Sequence, residues 1–286
     1  MPPADILPPL LSALIMAAAM GLACAVLSVF VVAKRWAFIG EGIAHAGFGG
    51  AGTAWVLSIC APSLAFLRND FYTYIIAITF SLLVAVAVAA LTRKDRVLPD
   101  TAIGILLVGS MAWGFLASNI YAHATDSLPP TLGQFVGFEV QKLRLLPASY
   151  AAVATVVAAA VISILYLLGK EVLYYTFDPD TAEVSGIKAS LIHYTLILLL
   201  AVTIVLAMRI TGSLLVIGML ILPGAIGLHL GKSLRAVFII ACATGLAGSL
   251  AGPIANYFFD YLPEGPIIVV ALLAQFGLAL GLKRFV

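Results

Sequence analysis

Residues 40–52 read G-E-G-I-A-H-A-G-F-G-G-A-G and lie inside a long apolar segment. Glu41 and His45 are four residues apart, so on a helix both side chains share one face, with Cβ atoms about 5–6 Å apart. A carboxylate and an imidazole placed in this way can bind a divalent metal ion. Ionisable residues at membrane depth are costly and by default mark an ion or substrate path. We therefore predict Glu41 and His45 as metal ligands. The alternative is that the two side chains satisfy only each other.

The composition indicates the class of protein. Hydrophobic residues make up 63% and charged residues 10% of the 286 residues, and the mean hydropathy is +1.15. Soluble domains are roughly 45–50% apolar and about 25% charged. The sequence thus predicts an all-α, polytopic helical membrane protein. Its net charge of +2 does not indicate a nucleic-acid partner.

Nine segments are apolar over a length that approaches or exceeds the roughly 20 residues of a spanning helix. They cover residues 6–32, 36–60, 71–91, 99–120, 145–168, 191–208, 213–230, 234–258 and 266–282. The sixth and seventh are separated by only four residues, so they are either a tight hairpin or one broken element. We expect one transmembrane domain over residues 1–286.

Lysines and arginines predict the orientation, because cytoplasmic loops carry an excess of them. Alternate loops on one side hold eleven of these residues, against four on the other side. The eleven are Lys34, Arg35, Arg93, Lys94, Arg96, Lys170, Lys188, Lys232, Arg235, Lys283 and Arg284. The expected topology is therefore an external N-terminus and a cytoplasmic C-terminus.

Residues 178–186 predict a short helix in a cytoplasmic loop. Asp178 is a favourable N-cap, and Pro179 suits the first helical position. Gly186 is a favourable C-terminal stop. On these signals alone the segment is either a simple connector or a functional element.

Five fragments, taken in order along the chain, carry a family resemblance. They are V-V-A-K-R-W-A-F-I-G-E at 31–41 with His45, D-T-A-I-G-I at 100–105, F-D-P at 177–179 through Gly186, G-S-L-L-V-I at 212–217 with L-P at 222–223, and L-P-E-G-P at 262–266. With these fragments the chain resembles, over nearly its whole length, the membrane permeases of ATP-binding-cassette importers for zinc, manganese or iron ions. The resemblance implies the permease fold of metal and vitamin importers.

The resemblance also implies how the protein works. Glu41 and His45 take the positions of an aspartate and a histidine implicated in metal coordination. The 178–186 helix takes the place of the coupling helix that rests on the ATPase. Its expected contact residues are Phe177, Asp178, Pro179, Glu183 and Gly186. Import would proceed by alternating access, with the metal as cargo and no intrinsic cofactor.

The implied partners follow from the same resemblance. They are a second permease copy forming a homodimer, an ATP-binding cassette subunit and an extracytoplasmic metal-binding protein, in the inner cell membrane. The chain itself has no G-x-x-x-x-G-K-[ST] phosphate-binding loop, so ATP hydrolysis is expected on the separate subunit. The protein is then a transport subunit and not an enzyme.

Two other functions fit the sequence less well. A permease for metal chelates would favour a wide, mostly uncharged cavity, against which the Glu41–His45 pair argues. A membrane-embedded metallohydrolase would need a third protein ligand and a general base. Elsewhere in the chain, His123 is expected in an external loop, and Asp260 and Glu264 are expected on the last external connection. Glu264 stands where the family commonly has threonine.

Overall fold

The computed structural model describes residues 7–92, 97–129, 132, 143, 146, 148–211, 213–259 and 261–283. These residues form eleven α-helices and one 3-10 helix. The helices are α1 (Leu7–Ala33), α2 (Ile39–Cys60), the 3-10 helix (Pro62–Arg68), α3 (Asp70–Thr92), α4 (Pro99–Thr125), α5 (Ala148–Leu167), α6 (Gly169–Phe177), α7 (Pro179–Val184), α8 (Ala189–Thr211), α9 (Ser213–Leu230), α10 (Leu234–Phe258) and α11 (Glu264–Lys283).

The all-α membrane class is confirmed. Within the described chain, eight helices are long and apolar enough to cross a membrane, namely α1 to α5, α8, α10 and α11. The remaining predicted segment, residues 213–230, is α9, whose apolar stretch Leu215–Leu230 is shorter than the others. The sixth and seventh predicted segments correspond to α8, which ends at Thr211, and α9, which begins at Ser213, and Gly212 between them lies outside the described residues.

The connection between α5 and α8 holds one more helix than the sequence predicts. The helix α6 begins at Gly169, directly after Leu168, and ends at Phe177, so Asp178 lies between two short helices. The sequence shows no proline or capping side chain at Leu168. The apolar run of α5 therefore continues into α6 without a visible break.

The chain divides into two compact units. Unit 1 comprises Met1–Ala37, Val140–Ile192 and Leu206–Val286. In it, α1 packs against α5, α9 and α10, while α9, α10 and α11 pack against one another. Close approach of α1 and α10 depends on Gly245, where an added Cβ would lie 2.6 Å from the Cβ of Ala25.

Unit 2 comprises Phe38–Glu139 and His193–Val205. In this unit α2 packs against both α3 and α4. An added Cβ at Gly50 would lie 2.6 Å from the Cα of Ala77 in α3, and one at Gly49 would lie 2.9 Å from the backbone oxygen of Ser110 in α4. The glycines of α2 thus allow close helix packing along an unbroken helix. The single transmembrane domain over residues 1–286 stays a prediction.

Candidate metal-binding pair

The helix α2 begins three residues later than its apolar run suggests. Its first residue is Ile39, and the backbone N–H of Gly42 donates to the backbone oxygen of Phe38 at 3.0 Å. His45 lies six residues after Ile39, about 9 Å along the axis at 1.5 Å per residue, rather than the roughly 13 Å expected from a start at Trp36. Glu41 is in the first turn, where the helix dipole stabilises a carboxylate.

The two predicted ligands lie in direct contact. His45 Nε2 and Glu41 Oε1 are 3.0 Å apart. The His45 side chain is 17% exposed and that of Glu41 is 35% exposed. The i,i+4 geometry predicted from the sequence is therefore formed, and both side chains keep access to the surroundings of the chain.

The burial pattern of α2 distinguishes the pair from its neighbours. Across residues 39–52, all of which the structure describes, Glu41 and His45 are the residues that are not buried. The other residues of this stretch are buried by packing of α2 against α3 and α4. The two ionisable side chains thus share the open face of a helix that is otherwise embedded in unit 2.

One chain supplies two candidate ligands. Among the described residues, no group of three or more His, Cys, Asp or Glu side chains could hold a metal ion.

The other histidines lie on other helices than the pair. His193 is buried, and its Nε2 lies 3.0 Å from the backbone oxygen of Ala89 and 3.1 Å from Thr92 Oγ1. His123 is exposed in the last turn of α4 and not in a loop as expected. His229 is in the last turn of α9.

The predicted short helix forms as α7, and its caps match the prediction. Asp178 Oδ1 accepts from the backbone N–H of Thr181 at 3.0 Å, and Asp178 Oδ2 accepts from Thr181 Oγ1 at 2.6 Å. Gly186 has a φ of 81°, and the backbone N–H of Ile187 donates to the backbone oxygen of Ala182 at 3.0 Å. This is the six-residue bond of a Schellman stop, which needs a residue in the left-handed region.

The surface of this segment is partly apolar. Phe177 is 53% exposed and Val184 is 90% exposed, whereas Ala182 is fully buried. Asp178 and Gly186 are also exposed. The side chains of the predicted contact residues Pro179 and Glu183 lie outside the described part of the structure. The role of all five residues in contacting an ATPase stays a prediction.

Glu264 differs from its expected place on an external connection. It lies in the first turn of α11, is buried, and accepts a hydrogen bond from the backbone of Leu143. The sequence signal that could have placed it is an acid just before an apolar run, which favours a helix start. Asp260, the other acid of that connection, lies outside the described residues.

The fold and the pair together define a class. This is a multi-pass helical membrane protein with an ionisable pair on one embedded helix, as expected of a membrane transport protein. A family model described as "ABC 3 transport family" matches residues 7–282. The chain belongs to this family, and is therefore a membrane permease of an ATP-binding-cassette transport system and not itself an enzyme.

Individual relatives match over nearly the whole chain. The "Probable iron transport system membrane protein" of Haemophilus influenzae is 32% identical over 276 residues, covering 96% of this chain and 93% of that protein. The "Manganese transport system membrane protein MntB" of Synechocystis sp. is 30% identical, covering 95% of this chain and 82% of that protein. Among solved structures, PsaBC from Streptococcus pneumoniae in complex with Fab superimposes with a TM-score of 0.72 at 24% identity, covering 94% of this chain and 89% of that chain, which supports the fold.

Proposed function

We propose that this permease carries a divalent transition-metal ion, manganese or iron, into the cell by alternating access. The observation that carries the proposal is the Glu41–His45 contact of 3.0 Å on the open face of α2. An ionisable pair facing hydrocarbon is costly, so an open face carrying both side chains is expected to line an ion path or a protein interface. Carboxylate and imidazole are ligands suited to manganese, iron and zinc.

A second copy of the chain would supply the missing ligands. Two ligands from one chain leave a four-coordinate ion two ligands short. In a two-fold symmetric dimer the same surface occurs on both subunits, so two copies would bring two carboxylates and two imidazoles to one axis. The small number of ligands in the described part of one chain supports the proposed homodimer.

The energy would come from a separate ATPase subunit that contacts residues 178–186 on the cytoplasmic side. The exposed Phe177 and Val184 beside the capped α7 support such a contact. An extracytoplasmic metal-binding protein would deliver the ion at the opposite side. The N-terminus is proposed outside and the C-terminus inside the cell, from the eleven-to-four distribution of lysine and arginine.

The test is ATP-dependent metal uptake by vesicles that contain the permease and its ATPase subunit. Uptake is measured for manganese, iron and zinc, each supplied once as the free ion and once as a chelate. We expect uptake of the free ions and its loss in Glu41→Gln, which removes the charge and keeps the size. Asp70→Asn is the matched control, because Asp70 is an exposed acid in the first turn of α3. Uptake of chelates alone would contradict the proposal.

A further inference from the structure

Lys34 joins the end of α1 to the end of α6 by two contacts. Its Nζ donates to the backbone oxygen of Tyr175 at 2.7 Å. The same Nζ lies 3.8 Å from the centroid of the Tyr175 ring. Both residues belong to unit 1, and they are 141 positions apart in the sequence.

The carbonyl that accepts from Lys34 lies at the C-terminal end of α6. Tyr175 is in the last turn of α6, which ends at Phe177. The last four carbonyls of a helix have no partner within the helix. The Lys34 ammonium satisfies one of them, and Lys34 is the first residue after α1, which ends at Ala33. The cation thus lies at the C-terminal end of α6, where the helix dipole favours a positive charge.

Both partners are close in sequence to the functional elements. Tyr175 is three residues before Asp178, the cap of α7, and Lys34 is seven residues before Glu41. The turn after Lys34 is closed by a backbone hydrogen bond. Arg35 has a φ of 58°, and the backbone N–H of Trp36 donates to the backbone oxygen of Val31 at 2.8 Å. Trp36 is also buried.

A displacement of α6 therefore has a short route to the start of α2, through Lys34 and the covalent chain that follows it. The ammonium holds α6 to the end of α1. From Lys34, four residues lead to Ile39, the first residue of α2. A connection of four residues has less slack than a long loop, because each residue spans at most about 3.6 Å.

We propose that Lys34 is a positioning residue that transmits movement between the 178–186 segment and the Glu41–His45 pair. This inference rests on the proposed function, in which the first element contacts the ATPase and the second binds the metal. In this proposal Lys34 acts through its contact with Tyr175 and not on the metal or the nucleotide directly. Its replacement should separate ATP hydrolysis from transport, while each of the two partner sites stays intact.

The test measures manganese transported and ATP hydrolysed in the same vesicles. In Lys34→Met we expect the number of ions moved per ATP to fall about tenfold, within the usual range of couplings between sites. Manganese binding without ATP and capture of the ATPase subunit should equal those of the wild type. Lys34→Arg should restore coupling, since a guanidinium also donates to carbonyls and stacks on aromatic rings. Lys170→Met is the control, because Lys170 is an exposed lysine in the first turn of α6.

A second variant separates this contact from a general loss of structure. Tyr175→Leu removes the ring and keeps the backbone carbonyl, so coupling should fall less than in Lys34→Met. In the double variant the effects should not add, because both substitutions act on one contact. Additive effects, or a wild-type ratio in Lys34→Met, would overturn the inference. If Lys34→Met fails to assemble, a wild-type ratio in Tyr175→Leu overturns it.

The wild-type vesicles distinguish this inference from the proposed function. Absence of ATP-dependent manganese, iron and zinc uptake by the wild type would contradict both. Uptake by the wild type together with unchanged coupling in the variants would contradict the Lys34 inference alone.

Discussion

Glu264 Oε2 accepts a hydrogen bond of 3.0 Å from the backbone N–H of Leu143, and both residues are 1% exposed. The bond joins the first turn of α11 to the connection between α4 and α5. It places a carboxylate at a helix N-terminus, where the dipole favours it, and it gives a partner to a buried backbone donor. Within unit 1, this acid therefore holds two distant parts of the chain together.

Replacing Glu264 should lower stability through the donor that is left behind. In Glu264→Ala the N–H of Leu143 loses this acceptor in a buried position, which costs about 1–3 kcal/mol. Glu264→Gln keeps a carbonyl oxygen that can accept the bond, so it should lose less. Thermal unfolding of the purified protein in detergent measures both. Equal midpoints for the wild type and Glu264→Ala would show that the bond contributes nothing to stability.

Removing either proposed ligand should stop transport without unfolding the protein. Glu41→Ala, His45→Ala and the double variant should insert and assemble normally, because both side chains are less buried than their neighbours in α2. ATP-driven metal uptake should be lost in each. His123→Ala is the control, since His123 is an exposed histidine on α4. Normal uptake by the double variant would exclude Glu41 and His45 as ligands.

Adding one methyl group at Gly50 should disturb the packing of α2. The Cβ of Gly50→Ala would lie 2.6 Å from the Cα of Ala77 and 2.7 Å from the Cβ of Phe80. Overpacking of this kind costs typically about 1–3 kcal/mol, so the unfolding midpoint should fall. Gly109→Ala is the matched control on α4, because nothing lies within 4 Å of its added Cβ. A lower midpoint in the control than in Gly50→Ala would contradict the packing argument.

The orientation predicts which cysteine reacts from outside the cell. Cys60 is exposed at the last residue of α2, whereas Cys24 is buried in α1. If α2 enters from the cytoplasm, a membrane-impermeant maleimide should label Cys60 on intact cells and should not label Cys60→Ser. A cysteine placed beside Lys94 in the Cys60→Ser background should react only after the membrane is permeabilised. Labelling of that cysteine on intact cells would reverse the topology.

Replacing Gly186 should weaken coupling through the end of α7. Its φ of 81° is strained for any residue with a Cβ, at a cost of roughly 1–2 kcal/mol. Gly186→Ala should reduce metal-stimulated ATP hydrolysis and transport together, while metal binding is retained. Asp178→Ala, which removes a cap contributing about 1 kcal/mol, should act in the same direction.

Gly169→Ala is the control for these variants. Gly169 starts the neighbouring helix α6, its φ is outside the left-handed region, and nothing lies within 4 Å of an added Cβ. Full coupling in Gly186→Ala and Asp178→Ala would identify the segment as a simple connector.

Features set by local sequence could be predicted. The lengths of the apolar segments predicted the long helices. Asp178 and Gly186 predicted the ends of α7, because capping involves residues only a few positions apart. The start of α2 was missed because Trp36 and Phe38 are apolar and continue the pattern of the helix. The reversal of the chain lies instead in the positive φ of Arg35, which the sequence does not show.

Contacts between distant residues could not be predicted. Lys34 looks like one of several cytoplasmic lysines, and only the fold brings it to a carbonyl 141 positions away. Glu264 looks like a solvated loop acid, and only the fold buries it against Leu143. In the candidate site, the i,i+4 spacing of Glu41 and His45 was sufficient to predict their contact, since both lie on one helix.

The packing of α2 has a consequence for how such transporters diverge. Fifteen of its 22 residues are buried, and several glycines among them meet neighbouring backbone, so most substitutions there disturb the helix. Glu41 and His45 are only partly buried, so packing restricts these two positions less. If the pair binds the metal as proposed, substitutions at these two positions could change the ligand set and the metal preference while the helix scaffold is kept.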